Sequence, residues 1–300
     1  MSILAQIPPG GRILIVRLRS LGDCVLTTPA IHLLKQYRPD LRLDILVEPR
    51  FAELFAGNPD LARVLEPSPS PRPDLVLNLH GGPTSAWLTA ASLSARRAGF
   101  AHYRSAAWVY NIRIPTAQEV LGLNRPVHTA EHLASAMFYL GVPRTEIPRA
   151  RLFAGAAPRE HGYAVIHAFA SQADKTWPAE RFLEAARHIQ RDLGLEPVFI
   201  GGATDDFSPF AGFRHAAGSL GDSKRLLGGA SLFLGNDSGP AHMAAAFGVP
   251  VVVLFGSSHA AQWRPWKTVS ETIESPPDVR VVPVARVLEA LDRVRVQASS

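Results

Sequence analysis

Short runs of valine, isoleucine and leucine alternate with longer amphipathic segments along the whole chain. Continuous apolar runs of this length are typical of parallel strands buried on both faces, and the amphipathic segments between them are typical of connecting helices. The pattern predicts strands at residues 12–18, 41–47, 74–79, 163–169, 197–200, 231–234 and 249–255. It therefore predicts an α/β fold.

Helical periodicity occupies the segments between these runs. It predicts helices at residues 25–37, 50–56, 84–94, 129–140, 178–193, 241–247 and 284–296. Gly141 and Pro143 close the fourth helix, and Pro178 opens the fifth, as expected for helix ends and first turns.

The periodicity disappears between Pro143 and Gly162, and a new series of strands follows. We interpret this as a domain boundary and expect Rossmann-like domains at residues 1–155 and 156–282, followed by a helix at 283–300. Two doubly wound domains of similar size leave a cleft between them, and ligands of such sheets bind beyond the carboxyl ends of the strands. The loops that follow strands are therefore the candidate functional segments.

Composition and charge narrow the class of protein. Hydrophobic residues make up 47% of the 300 residues and charged residues 19%, which favours a folded globular protein. The net charge of +5 comes mainly from scattered arginines, and without zinc-finger or RNA-binding motifs it gives little support to nucleic-acid binding. Cys24 is the only cysteine, so no internal disulfide forms.

Hydropathy predicts no transmembrane segment. The longest apolar stretch, residues 243–255, is interrupted by Gly248 and Pro250 and is shorter than the roughly 20 residues that a spanning helix needs. Because no secretion signal is evident at residues 8–12 either, we expect a cytoplasmic protein.

The first candidate segment is R-L-R-S-L-G-D at residues 17–23, where a strand runs through a short loop into a helix. Ser20 and Gly22 would support a tight turn, and Asp23 would project from the start of the helix as a candidate base. Helix capping by Asp23 is the simpler alternative, because aspartate is a preferred N-cap residue.

The second segment is L-G-N-D-S-G-P-A-H at residues 234–242. A strand, a turn containing Asp237 and Ser238, and a helix beginning near Gly239 would offer backbone amides and a helix dipole to a phosphate. His242 would then be a phosphate donor or a packed core histidine, and the turn itself could be merely structural.

Two further loops supply candidates for the same ligand. Lys175 follows the first strand of the second domain and suits a developing diphosphate leaving group, although an exposed loop lysine is the ordinary alternative. Asp205 or Asp206, after the next strand, could accept hydrogen bonds from ribose hydroxyls.

Other chemistries lack their motifs. The chain has no G-x-G-x-x-G fingerprint and no P-loop, which argues against a nicotinamide dehydrogenase or a kinase. No D-x-D motif or His/Cys cluster indicates a metal site, and we expect no metal and no cofactor other than a nucleotide-sugar substrate.

Taken together, these segments resemble glycosyltransferase family 9, the lipopolysaccharide heptosyltransferases, over nearly the whole chain. The matching motifs, in order, are I-L-I-V-R-L-R-S-L-G-D-C-V-L-T-T-P at 13–29, the strand and glycines at 73–82, R-R-A-G-F at 96–100, His128, L-G-V-P at 140–143, K-T-W-P at 175–178, G-N-D-S-G-P-A-H at 235–242, Pro250 and L-F-G at 254–256.

The resemblance implies a GT-B fold with an amino-terminal acceptor domain, a carboxyl-terminal donor domain and a last helix that packs back on the first domain. It implies inverting, metal-independent transfer of a heptose from an ADP-sugar to a lipid-anchored inner-core acceptor, with peripheral contact at the cytoplasmic membrane face. Asp23 resembles the family's base, Lys175 its diphosphate ligand, and Asp237, Ser238, Gly239 and His242 its donor loop, and Asp205 is the candidate for the ribose.

The sequence departs from the family pattern at two positions. Residues 167–171 read H-A-F-A-S where the family usually has a proline-glycine turn, and the ribose position carries aspartate in place of glutamate. Both departures bear on the identity of the donor. A sugar-nucleotide epimerase and a catalytically silent nucleotide-binding protein of the same architecture are the alternative interpretations.

Overall fold

A computed structural model describes residues 2–69, 72–103, 107–155, 162–170 and 172–299. These residues form two compact units, Met1–Pro148 and Arg149–Ser300. The boundary expected between residues 155 and 156 adjoins residues 156–161, which lie outside the described residues.

Each unit contains one parallel sheet of six strands. The strands of the first unit are β1 Arg12–Val16, β2 Arg42–Leu46, β3 Arg63–Leu65, β4 Leu75–Asn78, β5 Arg97–Phe100 and β6 Ile112–Ile114. Those of the second unit are β7 Tyr163–His167, β8 Glu196–Gly201, β9 Arg214–Ala217, β10 Leu232–Asn236, β11 Val251–Phe255 and β12 Ser270–Glu274.

Ten α-helices connect or flank the strands in the described ranges. They are α1 Leu21–Tyr37, α2 Ala52–Phe55, α3 Pro83–Ala91, α4 Ala117–Leu121, α5 Thr129–Leu140, α6 Ala179–Arg191, α7 Leu220–Gly229, α8 Gly239–Phe247, α9 Ala260–Trp263 and α10 Val284–Ser299. None of these described helices has the length and apolar character required to cross a membrane.

The two sheets have the same topology. The strand order is β3-β2-β1-β4-β5-β6 in the first unit and β12-β11-β10-β7-β8-β9 in the second, which is the doubly wound order in both cases. The predicted α/β class with two Rossmann-like domains is confirmed. Every strand predicted from an apolar run is present.

Five strands and three helices had not been predicted from the hydrophobic pattern. The missed strands are β3, β5, β6, β9 and β12, and the missed helices are α4, α7 and α9. These strands lie at or next to the edges of the sheets, and most carry charged or small residues in place of a continuous apolar run. Their positions depend on pairing with an inner strand, which the local pattern does not report.

The central helix α1 compensates for its own internal proline. Pro29 lacks the N–H that would donate to the carbonyl of Val25, and the hydroxyl of Thr28 donates to that carbonyl at 2.8 Å. Most of the helix is buried, and it packs against α5. A proline is therefore tolerated inside a helix whose first turn carries the candidate base.

The last helix packs within the second unit. Val287, Ala290, Leu291 and Val294 of α10 are fully buried in the same hydrophobic cluster as Phe182 of α6. Burial of this helical stripe against the sheet of the second unit accounts for its position. The expectation that α10 also returns to the first domain stays a prediction.

Candidate functional site

The candidate residues of each unit lie at the point where the order of its strands reverses. In the first unit, the loops after the adjacent strands β1 and β4 lead to Asp23 and His80. In the second, the loops after the adjacent strands β7 and β10 lead to Lys175 and Asp237. Connections leave such a pair of strands towards opposite faces of the sheet and open a crevice at their carboxyl ends, which is the usual ligand position in these folds.

Asp23 is the third residue of α1 and is held on both carboxylate oxygens. The backbone N and the hydroxyl of Ser20 donate to Oδ2 at 3.3 and 3.0 Å, and the guanidinium of Arg17 donates to Oδ1 at 3.2 Å. The side chain is 22% exposed. Asp23 thus belongs to a capping box with Ser20, and it remains accessible to a ligand while fixed in one orientation.

Gly22 is the second residue of α1 and is not part of a turn before it. Its backbone does not adopt a positive φ, so the turn that we had expected at this glycine is formed by residues 17–20. The absence of a side chain at Gly22, which is buried, suits close packing at the helix start.

Arg17 connects the strand end to the first turn of α1. Its guanidinium also donates from Nε to Thr27 Oγ1 at 3.3 Å, and the Thr27 hydroxyl donates to the carbonyl of Asp23 at 2.8 Å. Because Arg17 is only 5% exposed, its charge acts on Asp23 with little screening by water. Arg17 is the first residue of the R-L-R-S-L-G-D segment, but the sequence by itself did not indicate a role for it.

His80 is a site residue that sequence reasoning missed. Burial lowers its pKa, and the charges of Arg17 and Asp23 act on it in opposite directions, which places the imidazole beside both. Its Nδ1 is buried and has no hydrogen-bond partner among the described residues. A buried ring nitrogen without a protein partner can hydrogen-bond to a bound ligand.

An aromatic cluster lies behind His80. Gly81 has φ +73°, and a Cβ there would lie 2.8 Å from the ring of Tyr103, so glycine is required for this approach. The Tyr103 hydroxyl lies 3.4 Å from Nε2 of His132, whose ring stacks on Phe100 at a centroid distance of 4.0 Å. Burial lowers the pKa of His132 to about 4, so this histidine is neutral at pH 7.

In the second unit, Asn236 joins the two loops that carry the donor candidates. It is fully buried at the end of β10; its Nδ2 donates to the carbonyl of Ala168 at 2.9 Å, and its Oδ1 accepts from the backbone N of Trp177 at 3.1 Å. Ala168 and Trp177 lie at the two ends of the loop that contains Lys175. One amide side chain therefore fixes this loop against the Asp237 turn.

Lys175 and Asp237 are close enough to interact electrostatically. Burial raises the pKa of Asp237, whereas Ser258 and the positive charge of Lys175 act to lower it. Gly256, after β11, packs against the same loop, because a Cβ there would lie 2.4 Å from the carbonyl oxygen of Asp174. The charge of Lys175 therefore acts on the mostly buried carboxylate of Asp237 near the ends of β7, β10 and β11.

Ser238 contacts a residue that is unusual for the resembled family. Its hydroxyl lies 3.1 Å from Nδ1 of His167, the last residue of β7. Burial lowers the pKa of His167 to about 4, and the carboxylate of Asp205 acts in the opposite direction. Asp205 itself accepts a hydrogen bond from the backbone N of Gly202 at 2.7 Å. Ser171, at the end of this altered turn, lies outside the described residues.

The two candidate ribose carboxylates differ in their surroundings. Both oxygens of Asp206 accept hydrogen bonds from Ser208, at 2.9 Å each, whereas the charge of Asp205 acts to raise the pKa of His167. Gly239 is the first residue of α8, and His242 lies in the first turns of that helix, 5% exposed and 6.3 Å from the ring of Trp263. The choice of Asp205 for the ribose stays a prediction.

Histidine, cysteine, aspartate and glutamate side chains form no group of three suited to holding a metal ion within the described residues. The positive groups next to the Asp237 turn are the Lys175 ammonium and the amides at the start of α8.

Comparison with known proteins identifies the family. The sequence model for glycosyltransferase family 9 (heptosyltransferase) matches residues 71–278, which is more than half of the chain. The chain belongs to glycosyltransferase family 9. It is a glycosyltransferase, and the resemblance found in its motifs is confirmed.

Relatives of this glycosyltransferase support the same assignment. It is 24% identical to lipopolysaccharide heptosyltransferase 3 of Escherichia coli strain K12, over 82% of each chain. Among solved structures, a family 9 glycosyltransferase from Veillonella parvula superposes with a TM-score of 0.83 at 19% identity, over 96% of this chain and 97% of that one. The E. coli heptosyltransferase WaaC with ADP gives a TM-score of 0.80 at 20% identity, over 94% and 99%. Both superpositions confirm the predicted GT-B fold.

Proposed function

We propose that this glycosyltransferase moves a heptose or a related sugar from an ADP-sugar to a lipopolysaccharide inner-core or related glycolipid acceptor. The relatives support this proposal, because they include lipopolysaccharide heptosyltransferase 3 of E. coli and a heptosyltransferase whose structure contains ADP. We further propose that transfer inverts the anomeric centre and needs no metal ion.

The observation that carries the proposal is that the charge of Lys175 acts on the Asp237 carboxyl in the turn just before α8. A nucleoside diphosphate brings negative charge that a lysine and the free amides of a helix start can stabilise together. Asn236 holds these two segments in register before any ligand binds, so little reorganisation is required. Ser238, Gly239 and His242 complete the proposed diphosphate loop, and Asp205 is the proposed ribose ligand.

In the proposed reaction, the acceptor hydroxyl oxygen forms a bond to the anomeric carbon while the bond from that carbon to the diphosphate breaks. Asp23 takes the hydroxyl proton, and the electron pair of the broken bond leaves with the nucleoside diphosphate. Lys175 and the α8 amides favour the negative charge that develops on the leaving group. One displacement from the opposite face inverts the configuration.

Arg17 and Ser20 act on the proposed base. Their hydrogen bonds to Asp23 keep the carboxylate oriented, and the remaining lone pairs of Oδ1 and Oδ2 are available to a hydroxyl. The unpaired Nδ1 of His80 would hydrogen-bond to the acceptor beside it.

Calorimetric titration of ADP, UDP and GDP tests the proposal. We expect ADP to bind selectively and Lys175→Ala to weaken this binding about 10- to 100-fold, since a hydrogen bond between charged groups contributes about 1.5–3 kcal/mol. Lys267→Ala is the matched control, because Lys267 is an exposed lysine of the same unit. Absence of binding by any of the three nucleotides would contradict the proposal.

Product analysis then separates the remaining alternatives. Incubation with an ADP-sugar and no acceptor is expected to return the sugar unchanged, whereas an epimerase would alter it. Binding of ADP without transfer to any inner-core acceptor would instead favour a catalytically silent nucleotide-binding protein.

A further inference from the structure

One segment of the first unit has an unusual charge balance. Residues 75–118, between Asp74 and Glu119, contain four arginines and no aspartate or glutamate. This segment carries a net charge of +4, which leaves +1 for all the other residues of a chain whose total is +5. The net positive charge of the protein is therefore concentrated in residues 96–113 of the sequence.

The three described arginines of this segment form no ion pair with a carboxylate within the described residues. Elsewhere in the described chain most ion pairs join an arginine to an aspartate or glutamate, as for Arg38 and Asp40 at 2.7 Å. Arg96, Arg97 and Arg113 form no ion pair in the described part of the chain, and Arg113 lies exposed on β6, the edge strand of the sheet. Their charges remain available to an external anionic partner.

The largest exposed aromatic side chains of the described residues lie on the same segment. Trp87 on α3 is 59% exposed, and Trp108, in the 3-10 turn Ala107–Val109, is 75% exposed. Their chain neighbours Ala86 and Val109 pack in one small hydrophobic cluster, so the two tryptophans emerge from adjacent positions. Leu93, just after α3, is 66% exposed.

A hydrogen bond ties the cationic and aromatic groups together. Arg97 donates from Nε to the carbonyl of Val109 at 2.9 Å, which holds its guanidinium against the turn that carries Trp108. Nη1 of the same arginine donates to the carbonyl of Ser94 at 2.7 Å. The arginine side chain is thus satisfied by backbone oxygens and keeps its full charge next to an exposed indole.

We propose that this surface, defined by Trp87, Leu93, Arg97, Trp108 and Arg113, docks the first unit onto an anionic lipid bilayer. Tryptophan partitions to the interface between headgroups and acyl chains, and each arginine near an anionic bilayer contributes about 1 kcal/mol. Protein interfaces are also rich in tryptophan and arginine, but the acceptor of the proposed function is a glycolipid, and this favours a bilayer. The inference rests on the proposed function, because docking on a bilayer would bring the enzyme to a glycolipid acceptor that is embedded there.

Vesicle co-sedimentation tests this inference with the full chain and without sugar transfer. We expect binding to vesicles of phosphatidylcholine and phosphatidylglycerol in equal parts, and weak binding to phosphatidylcholine alone. Arg97→Gln with Arg113→Gln should lower the partition coefficient about fivefold per arginine. Raising the salt from about 0.1 to 1 M, which shortens the Debye length from about 10 to 3 Å, should weaken binding of the wild type further.

Paired variants show whether the tryptophans take part. Trp87→Ser with Trp108→Ser should abolish most vesicle binding and the blue shift of tryptophan fluorescence that accompanies it. Tyr37→Ser with Tyr139→Ser is the control, because these tyrosines, 41% and 43% exposed, are the other exposed aromatic side chains of the described part of the same unit and lie on other helices. If the double tryptophan variant does not fold, as judged by circular dichroism, the arginine pair and the salt dependence carry the test.

Three outcomes would overturn the inference: no binding of the wild type to the mixed vesicles, equal binding by the tryptophan and tyrosine variants, or a dimer in solution that the tryptophan changes dissociate. The last result would assign the surface to a second copy of the chain. ADP binding is measured on the same preparation. If ADP binds selectively but the vesicles do not, only the docking inference fails, whereas loss of selective ADP binding counts against the proposed function.

Discussion

The side-chain oxygen of Asn236 accepts a hydrogen bond at 3.1 Å from the backbone nitrogen of Trp177, 59 residues earlier in the chain. The amide nitrogen of the same asparagine donates to Ala168. Both bonds are buried, so they fix the start and the end of the Lys175 loop against β10. The proposed diphosphate site depends on this arrangement.

Replacement of Asn236 by alanine should therefore affect stability and donor binding together. The variant leaves a buried N–H and a buried carbonyl unpaired, and we expect it to lose about 1–3 kcal/mol of unfolding free energy in urea titrations. ADP affinity should fall as well. Asn111→Ala is the control, since exposed Asn111 also bridges two backbone groups, Ala95 O and Arg97 N. An Asn236 variant with unchanged ADP affinity would contradict the positioning role.

Asp23→Asn should reduce transfer by about two to four orders of magnitude, as expected for loss of a general base, and leave ADP affinity unchanged. Transfer is measured under saturating donor with an inner-core acceptor. Asp222→Asn is a matched control, because Asp222 forms the same capping box with Ser219 at the start of α7. Equal losses of transfer in the two variants would show that helix capping, and not proton removal, accounts for the effect of Asp23.

His80→Asn should raise the KM for the acceptor. The variant removes a buried ring nitrogen that has no protein partner, and a neutral hydrogen bond contributes about 0.5–1.5 kcal/mol, so kcat/KM should fall about two- to tenfold. Donor KM should not change. A change in donor KM instead would place His80 outside the acceptor site.

Asp205→Ala should weaken ADP binding about tenfold or more, whereas Asp206→Ala should have little effect, because Asp206 is committed to Ser208. Titration with 2′,3′-dideoxy-ADP adds a direct check of the ribose role. If Asp205 binds the ribose hydroxyls, the analogue should bind the wild type and the Asp205 variant equally. A further loss of affinity for the analogue in the variant would contradict a ribose contact.

Stability should decrease on acidification because His132 and His167 are buried as neutral groups. Their pKa is lowered to about 4 from 6.5, so the unfolded chain takes up protons that the folded chain does not. Their contribution is fully present above about pH 6.5 and is lost as the pH falls towards 4. The unfolding free energy that is lost between pH 7 and pH 5 is about 2 kcal/mol per histidine.

Urea unfolding at both pH values measures this loss. His132→Gln and His167→Gln should each reduce the loss of unfolding free energy between pH 7 and 5 by about 2 kcal/mol, whereas His215→Gln, at an exposed histidine, should leave it unchanged. A pH dependence that both variants retain in full would exclude these histidines as its source.

The hydrophobic pattern by itself determined the class of fold and the inner strands of both sheets. Continuous runs such as that of β11 are buried on both faces wherever they occur, so their pattern is a local consequence of their environment. The motifs around Asp23, Lys175 and Asp237 likewise identified the loops that follow inner strands, because each motif is contiguous in sequence.

Only the tertiary structure decided which of these loops meet and what surrounds them. The contact of Asn236 with Trp177, that of His167 with Ser238, and the placement of His80 beside Arg17 and Asp23 all join residues that are remote in sequence. Edge strands such as β6 are short and polar and form only by pairing with a neighbour. The preference of a segment for helix or strand depends on residues that are adjacent in sequence. Contacts across a sheet depend instead on strand order and on the packing of the folded chain.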